Sequence, residues 1–371
     1  MTKDINKEAF DESTKLKLEI FGDCFREWLP VFIHNPSIKK IYIYDFFAGS
    51  GADPLGNFGS PLILLQEAKG KDKSYCGRIN KPIEFVFNES LKKKVDRLKD
   101  IIENYISTCK LENSCNRCIH KTEIKNDFFK DGFYTANVQN ILQNEDYGKF
   151  VLLDQYGFKE IDNHVFLDLV NSPKTDFIFF ISSSFISRFK EEPGTRAYIN
   201  TENINFDDSS PKDCHRVIAD YFRSLIPRNK EYYLHQFSIK KGANYYGLIF
   251  GSNHSLGMEK FLKVCWGKDE FSGESNFNLD NDFDAESLFY NPEKSNKKQQ
   301  LKQQIQEKIL QKKIGDNISG LKYTLLNGCM PKLFTEVVKD MEKVGKIKRF
   351  GNLNYASGNI HKAGKYGIEL I

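Results

Sequence analysis

Four strand-like segments in the first 155 residues, three of them largely apolar, each lead to a carboxylate, with helix-forming stretches between them. Ile41-Tyr42-Ile43-Tyr44 ends at Asp45, residues 82–88 run into Glu89, residues 119–124 precede Asp127, and Phe150-Val151-Leu152-Leu153 ends at Asp154. Apolar runs such as residues 41–44 and 150–153 suit strands buried on both faces, and intervening helices return the chain so that successive strands lie parallel. A fifth run, residues 176–181, is followed by a helix at 213–226 and a hairpin of residues 232–239 and 244–250. The expected fold is α/β: a Rossmann-like, mostly parallel sheet with an antiparallel edge strand. Parallel strands all end on one rim, so the four acids converge there, although each alone also suits a helix N-cap.

The helices follow from spacing. Residues 14–35 carry apolar positions at helical intervals until Pro30, and Ser60-Pro61 starts a helix through Lys69 with proline in the favoured first turn. Further helices are expected at 90–107, at 134–142 and between the fourth and fifth strands.

Charge divides the chain. Its total of +4 hides a C-terminal part, residues 292–371, with 16 Lys+Arg against 7 Asp+Glu, which leaves −5 for the first 291 residues. Seven acids (Asp269, Glu270, Glu274, Asp280, Asp282, Asp284 and Glu286) lie just ahead of it. The expected division is an N-terminal helical segment 1–36, a Rossmann-like domain 37–266, an acidic linker 267–296 and a basic domain 297–371. Helices at 297–313, 318–327 and 331–344, then a ribbon at 345–355 with Lys346, Lys348 and Arg349, resemble a winged helix. Its excess of positive charge suits a polyanion such as nucleic acid, and equally a well-solvated lysine-rich surface.

No apolar run approaches the ~18 residues that span a bilayer, and the polar start Met1-Thr2-Lys3-Asp4 has no signal-peptide core. Eight cysteines in 371 residues are too sparse for a disulfide scaffold. The expected setting is cytoplasmic.

The segment Asp45-Phe46-Phe47-Ala48-Gly49-Ser50-Gly51 places an acid and Gly-x-Gly at a strand's carboxyl end. Gly49 and Gly51 let the backbone approach a ligand closely, and Asp45 suits an amino-acid-type head group. Glu89 suits a ribose, whose two hydroxyls a carboxylate accepts, and Asp127 suits an adenine amine. The same glycine pattern also makes an ordinary tight turn.

These residues resemble the first motif of S-adenosylmethionine-dependent methyltransferases, especially those acting on nucleic-acid bases. More closely, Phe47-Ala48-Gly49-Ser50-Gly51, Gly59-Ser60-Pro61-Leu62 and the late segment Tyr245 to His254 resemble the three-Cys-motif partner protein family, over roughly residues 14–265. The resemblance implies a class I methyltransferase core using S-adenosylmethionine, bound by Asp45, Phe47, Gly49, Gly51, Glu89 and Asp127. It also implies a mobile-element or phage-related setting and a radical-enzyme-like partner protein with a three-cysteine motif. Where amino-methylating enzymes present Asp/Asn/Ser-Pro-Pro-Tyr/Phe, this chain has Asp154-Gln155-Tyr156-Gly157. By analogy Asp154 accepts from the target amine and Tyr156 stacks on a flipped base. Gln155 in place of proline loosens that loop, so the alternative is a catalytically degenerate scaffold that binds DNA or a partner protein. Methylation of a partner protein or peptide is a third reading.

Two other groups stand out. Cys109, Cys115, Cys118 and His120, with Cys76, have irregular zinc-like spacing or are plain reduced thiols. Arg188, Arg196 and Arg216 flank the region after the fifth strand, where the polar segment 191–210 suits either a substrate loop that contacts phosphate with Arg188 and Lys190 or a solvated loop. His254 suits a cap.

Overall fold

Asp11 opens the first helix by accepting from the Thr14 amide, and α1 (Glu12–Ile33) follows. The computed structural model describes residues 8–70, 74–76, 81–113, 120–196, 198–199, 204, 206, 210–280, 288, 295–351 and 364–371. Leu18, Phe21, Phe25, Trp28 and Leu29 recur at helical spacing on α1, and all are buried. The helix runs through Pro30 rather than stopping there. Its end is held by Lys81, whose Nζ donates to the carbonyls of Phe32, Ile33 and Asn35 at 2.7–2.9 Å.

The chain then alternates: β1 (Lys40–Asp45), α2 (Ser60–Glu67), β2 (Ile83–Asn88), α3 (Lys92–Glu112), β3 (His120–Lys125), α4 (Phe129–Phe133), α5 (Ala136–Leu142), β4 (Tyr147–Leu153), α6 (Asn163–Asn171) and β5 (Thr175–Ile181). After α7 (Ser183–Arg188), α8 (Pro193–Arg196) and α9 (Cys214–Leu225) come β6 (Tyr233–Lys241), β7 (Asn244–Ser252) and α10 (Ser255–Lys268). The sheet order is β3-β2-β1-β4-β5-β7-β6. β1 to β5 pair in parallel, and the reversed strand is β7, one place in from the edge, antiparallel to both β5 and β6. The order turns from descending to ascending between β1 and β4, the switch point at which open α/β sheets bind ligands.

Both faces of the central strands are covered, which explains the apolar runs of β1, β4 and β5. One face packs on α1, α2, α3 and α10, with Phe150 buried beneath Phe25 and Trp28 at ring separations of 5.5 and 5.2 Å. The other packs on α4, α5, α6 and α9 through Phe166, Phe177, Phe179 and Phe222. Burying one such ring contributes about 1.5–3 kcal/mol. Helix α10 was not expected, yet Met258, Phe261, Leu262 and Cys265 give it a buried stripe and His254 caps it.

The C-terminal part consists of α11 (Lys297–Leu310), α12 (Asn317–Leu326), α13 (Lys332–Lys343) and an antiparallel pair, β8 (Ile347–Gly351) with β9 (Tyr366–Leu370). The ribbon's second strand thus lies beyond the expected 345–355. Asp316 also bridges to Gly367, bringing the start of α12 to the ribbon. Leu301, Ile305, Leu321, Leu325 and Phe334 belong to the same continuous core as α1 and α10. Over residues 269–280 the acidic stretch expected as a linker is part of the fold. Ser238 on edge strand β6 donates its amide to the Glu274 carbonyl (2.6 Å) and accepts from the Asn276 amide (3.2 Å), which covers that edge. Glu274 is buried and accepts from Arg216 Nε (2.6 Å) and Lys297 Nζ (2.5 Å). Arg216 also pairs with Asp280, so two acids of this stretch hold the structure together through Arg216 and Lys297.

Candidate ligand rim and acceptor site

Because β1–β4 are parallel, Asp45, Glu89, Asp127 and Asp154 all follow strand ends on one rim. Gly49 and Gly51 have φ of +63° and +83°, the left-handed region that favours glycine. A Cβ on Gly51 would lie 2.8 Å from Leu98 Cδ1, so this glycine also lets α3 approach the turn. The turn closes where Gly59 N donates to Gly51 O at 2.8 Å. Asp45 is completely buried and accepts from Ser60 Oγ (2.6 Å) and the Phe47 amide (3.1 Å). Burial pushes its carboxyl up to about 7, with like charge from Asp154 and Glu89 adding to the effect. Asp45 therefore shapes the glycine turn from behind, and has no accessible surface of its own. Phe47 lies against Phe129, with ring centroids 5.0 Å apart.

Asn88 joins three strand ends. Its Nδ2 donates to the carbonyls of Asp127 (3.0 Å) and Phe46 (3.4 Å), and its Oδ1 accepts from the Asp127 amide (3.0 Å). Asn126 Nδ2 bonds the Glu89 and Ser90 carbonyls, both at 2.9 Å. Glu89 Oε1 accepts from the Leu91 amide at 2.9 Å, at the start of α3. Glu89 is buried, with 9% of its surface exposed, and Asp127 is half-buried. Exposed apolar side chains follow them closely in the chain: Leu91 after Glu89 and Phe128 after Asp127. This end of the rim offers carboxylates for hydroxyl or amine donors beside apolar cover for a flat ring.

The β4 end differs from expectation. Both Asp154 oxygens accept from Lys17 Nζ of α1, at 2.6 and 2.8 Å. Tyr156 is 69% exposed, free of a stacking partner among the described residues. Gln155 turns inward: Oε1 accepts from the Glu160 amide (3.0 Å), while the buried Nε2 has no partner among the described residues. Asp53 is a further organiser missed in the sequence. It is buried and accepts from the amides of Phe10, Leu55 and Asn57 and from Asn57 Nδ2, at 2.7–2.9 Å. Its signal was Asp-Pro-x-Gly, a turn sequence.

Arg196 pairs with Glu191, and Arg188 lies 3.5 Å from Asn244 Oδ1. His254 accepts from the Leu256 amide, a capping role. Cys115, Cys118 and the His120 side chain lie outside the described residues. Cys109 accepts from Asn113, and the described residues contain no group of three or more His, Cys, Asp or Glu placed to hold a metal. No described helix is long and apolar enough to cross a membrane.

No protein-family model matches the chain, and no curated protein matches it. The resemblance to the three-Cys-motif partner family therefore stands on its motifs alone. Among solved structures, the chain is similar to Trm1 from Pyrococcus horikoshii in complex with S-adenosyl-L-methionine: 9% identity, TM-score 0.38, covering 69% of this chain and 59% of that one. The METTL16 MTase domain is matched at 9% identity and TM-score 0.31, over 62% of this chain and 66% of that one. A methyltransferase from Pyrococcus furiosus is matched at 11% identity and TM-score 0.30, over 66% and 87%. The chain thus spans less than two thirds of the Trm1 and METTL16 chains.

Proposed function

We propose that the protein is an S-adenosylmethionine-dependent methyltransferase. One observation carries this: the glycine turn after β1, beside the sheet's switch point, shares one rim with the acids after β2 and β3. Glu89 is suited to the ribose hydroxyls and Asp127 to the adenine amine, with Leu91 and Phe128 as apolar cover. Gly49 and Gly51 open the backbone for the methionine end, and the Asp45–Ser60 bond holds that turn in shape. S-adenosylmethionine supplies a methyl already activated on sulfonium, so positioning the nucleophile is the protein's main task.

The substrate reading is nucleic acid, with an amino group of a base as acceptor. Lys332, Lys339 and Lys343 lie exposed along α13, with Lys346 just before the ribbon and Lys348 in it. Three helices followed by a ribbon suit a winged-helix contact to phosphates. A three-Cys-motif partner and a mobile-element setting are the finer parts of this reading and rest on the motif resemblance.

A second reading, a binding scaffold without catalysis, is favoured by Lys17 covering Asp154. Calorimetric titration with S-adenosylmethionine and S-adenosylhomocysteine tests the first. Binding near micromolar, about −8 kcal/mol, that is lost in Glu89→Ala supports it. Absence of binding in a folded sample supports the scaffold. Affinity for duplex DNA that falls steeply with salt tests the tail.

A further inference from the structure

The acceptor end of the site already holds an amine. Lys17 Nζ donates to both Asp154 oxygens and sits 4.6 Å above the Phe180 ring centroid, with Phe21 at 6.0 Å. Phe180 is stacked on Tyr246 at 5.0 Å and 13°. A carboxylate and an aromatic face are together a receptor for an alkylammonium. Lys17 and Asp154 side chains are 14% and 17% exposed, so the ammonium is largely enclosed. The start of α1 is pinned over the strand ends on either side: the Phe10 amide donates to Asp53 Oδ2 (2.9 Å), and Asp11 pairs with Lys241 (2.8 Å). Simple docking of α1 requires only an ion pair, which arginine makes bidentately. Here the group delivered is a primary amine, on the acid that follows β4.

We propose that Lys17 is the protein's own methyl acceptor, modified at Nζ by the bound sulfonium donor when no other substrate occupies the site. This rests on the methyltransferase reading above. The ammonium first passes a proton to Asp154, which it already touches. The nitrogen lone pair then attacks the methyl carbon. A C–N bond forms as the C–S bond breaks, the electron pair stays on sulfur, and the products are N-methyl-lysine and a thioether. Methylation also displaces one of the N–H donors available to Asp154, which loosens α1 from the acceptor position.

The test incubates the full chain with S-adenosylmethionine, followed by intact-mass and peptide mass spectrometry, with donor binding measured in parallel by calorimetry. The expected result is a mass gain of one methylene per transfer, located on Lys17, absent in Lys17→Arg and lost in Asp154→Asn. Melting curves establish that both variants are folded. Donor binding without modification of Lys17 overturns this proposal alone. Modification of Lys17 at an unchanged rate in Asp154→Asn also overturns it, because the acceptor position would then play no part. Absence of donor binding overturns it together with the methyltransferase reading.

Discussion

Ser60 Oγ donates to Asp45 Oδ2 at 2.6 Å, joining the end of β1 to the first residue of α2 across the glycine turn. Asp45 is fully buried, so the bond satisfies an oxygen that water does not reach. Ser60→Ala is expected to cost about 1–3 kcal/mol in urea unfolding and to weaken donor binding through the displaced turn. Full retention of both would show that the bond does not organise the site.

Gly51 has φ +83° and no room for a Cβ, which would lie 2.8 Å from Leu98 Cδ1. Gly51→Ala combines left-handed strain of about 1–2 kcal/mol with displacement of α3. Both the midpoint of chemical denaturation and the donor affinity are expected to fall.

A buried acid away from the rim sets a pH dependence. Asp176 accepts from Trp28 Nε1 at 3.0 Å, and burial pushes its carboxyl up to about 7. Its folded value lies above the ordinary aspartate value of about 4. Its contribution to stability is therefore complete below that value and disappears as pH rises toward 7. Buried His215 and His235, pushed down to about 4 and about 3, act oppositely over much of this range. The informative quantity is the difference between wild type and Asp176→Asn, in which the histidines cancel. That difference is expected to shrink in melting experiments as pH rises from 4 to 7, and a constant difference would contradict the assignment.

Lys297 reaches from α11 to Glu274, with side chains 15% and 7% exposed. Lys297→Met leaves the buried carboxylate with Arg216 alone and is expected to cost about 3 kcal/mol. Because the tail shares its core with α1 and α10, tail and sheet should unfold in one transition when followed by fluorescence and circular dichroism. Two separate transitions would disprove that coupling.

The alternation of apolar runs and helices, the glycine turn at Gly49 and Gly51, and the acids at strand ends are local patterns. They were legible because strand burial and turn geometry act over a few neighbouring residues. Local patterning also placed α11, α12 and α13 to within a few residues. It misjudged the ribbon, whose partner strand Tyr366–Leu370 is set by pairing across a long connection. Residues 269–280 read as a solvated acidic spacer, because nothing local reveals that Glu274 meets Arg216 and Lys297.

Asp154 shows the same division. Sequence alone placed it after β4 on the ligand rim. Only the tertiary structure brought Lys17, 137 residues away, onto its carboxylate, so that an acid expected to face a substrate is paired within the chain. Hydrophobic period is written residue by residue along the chain. A charge pair's partner is chosen by how α1 packs across the sheet, and that packing exists only once the core has formed.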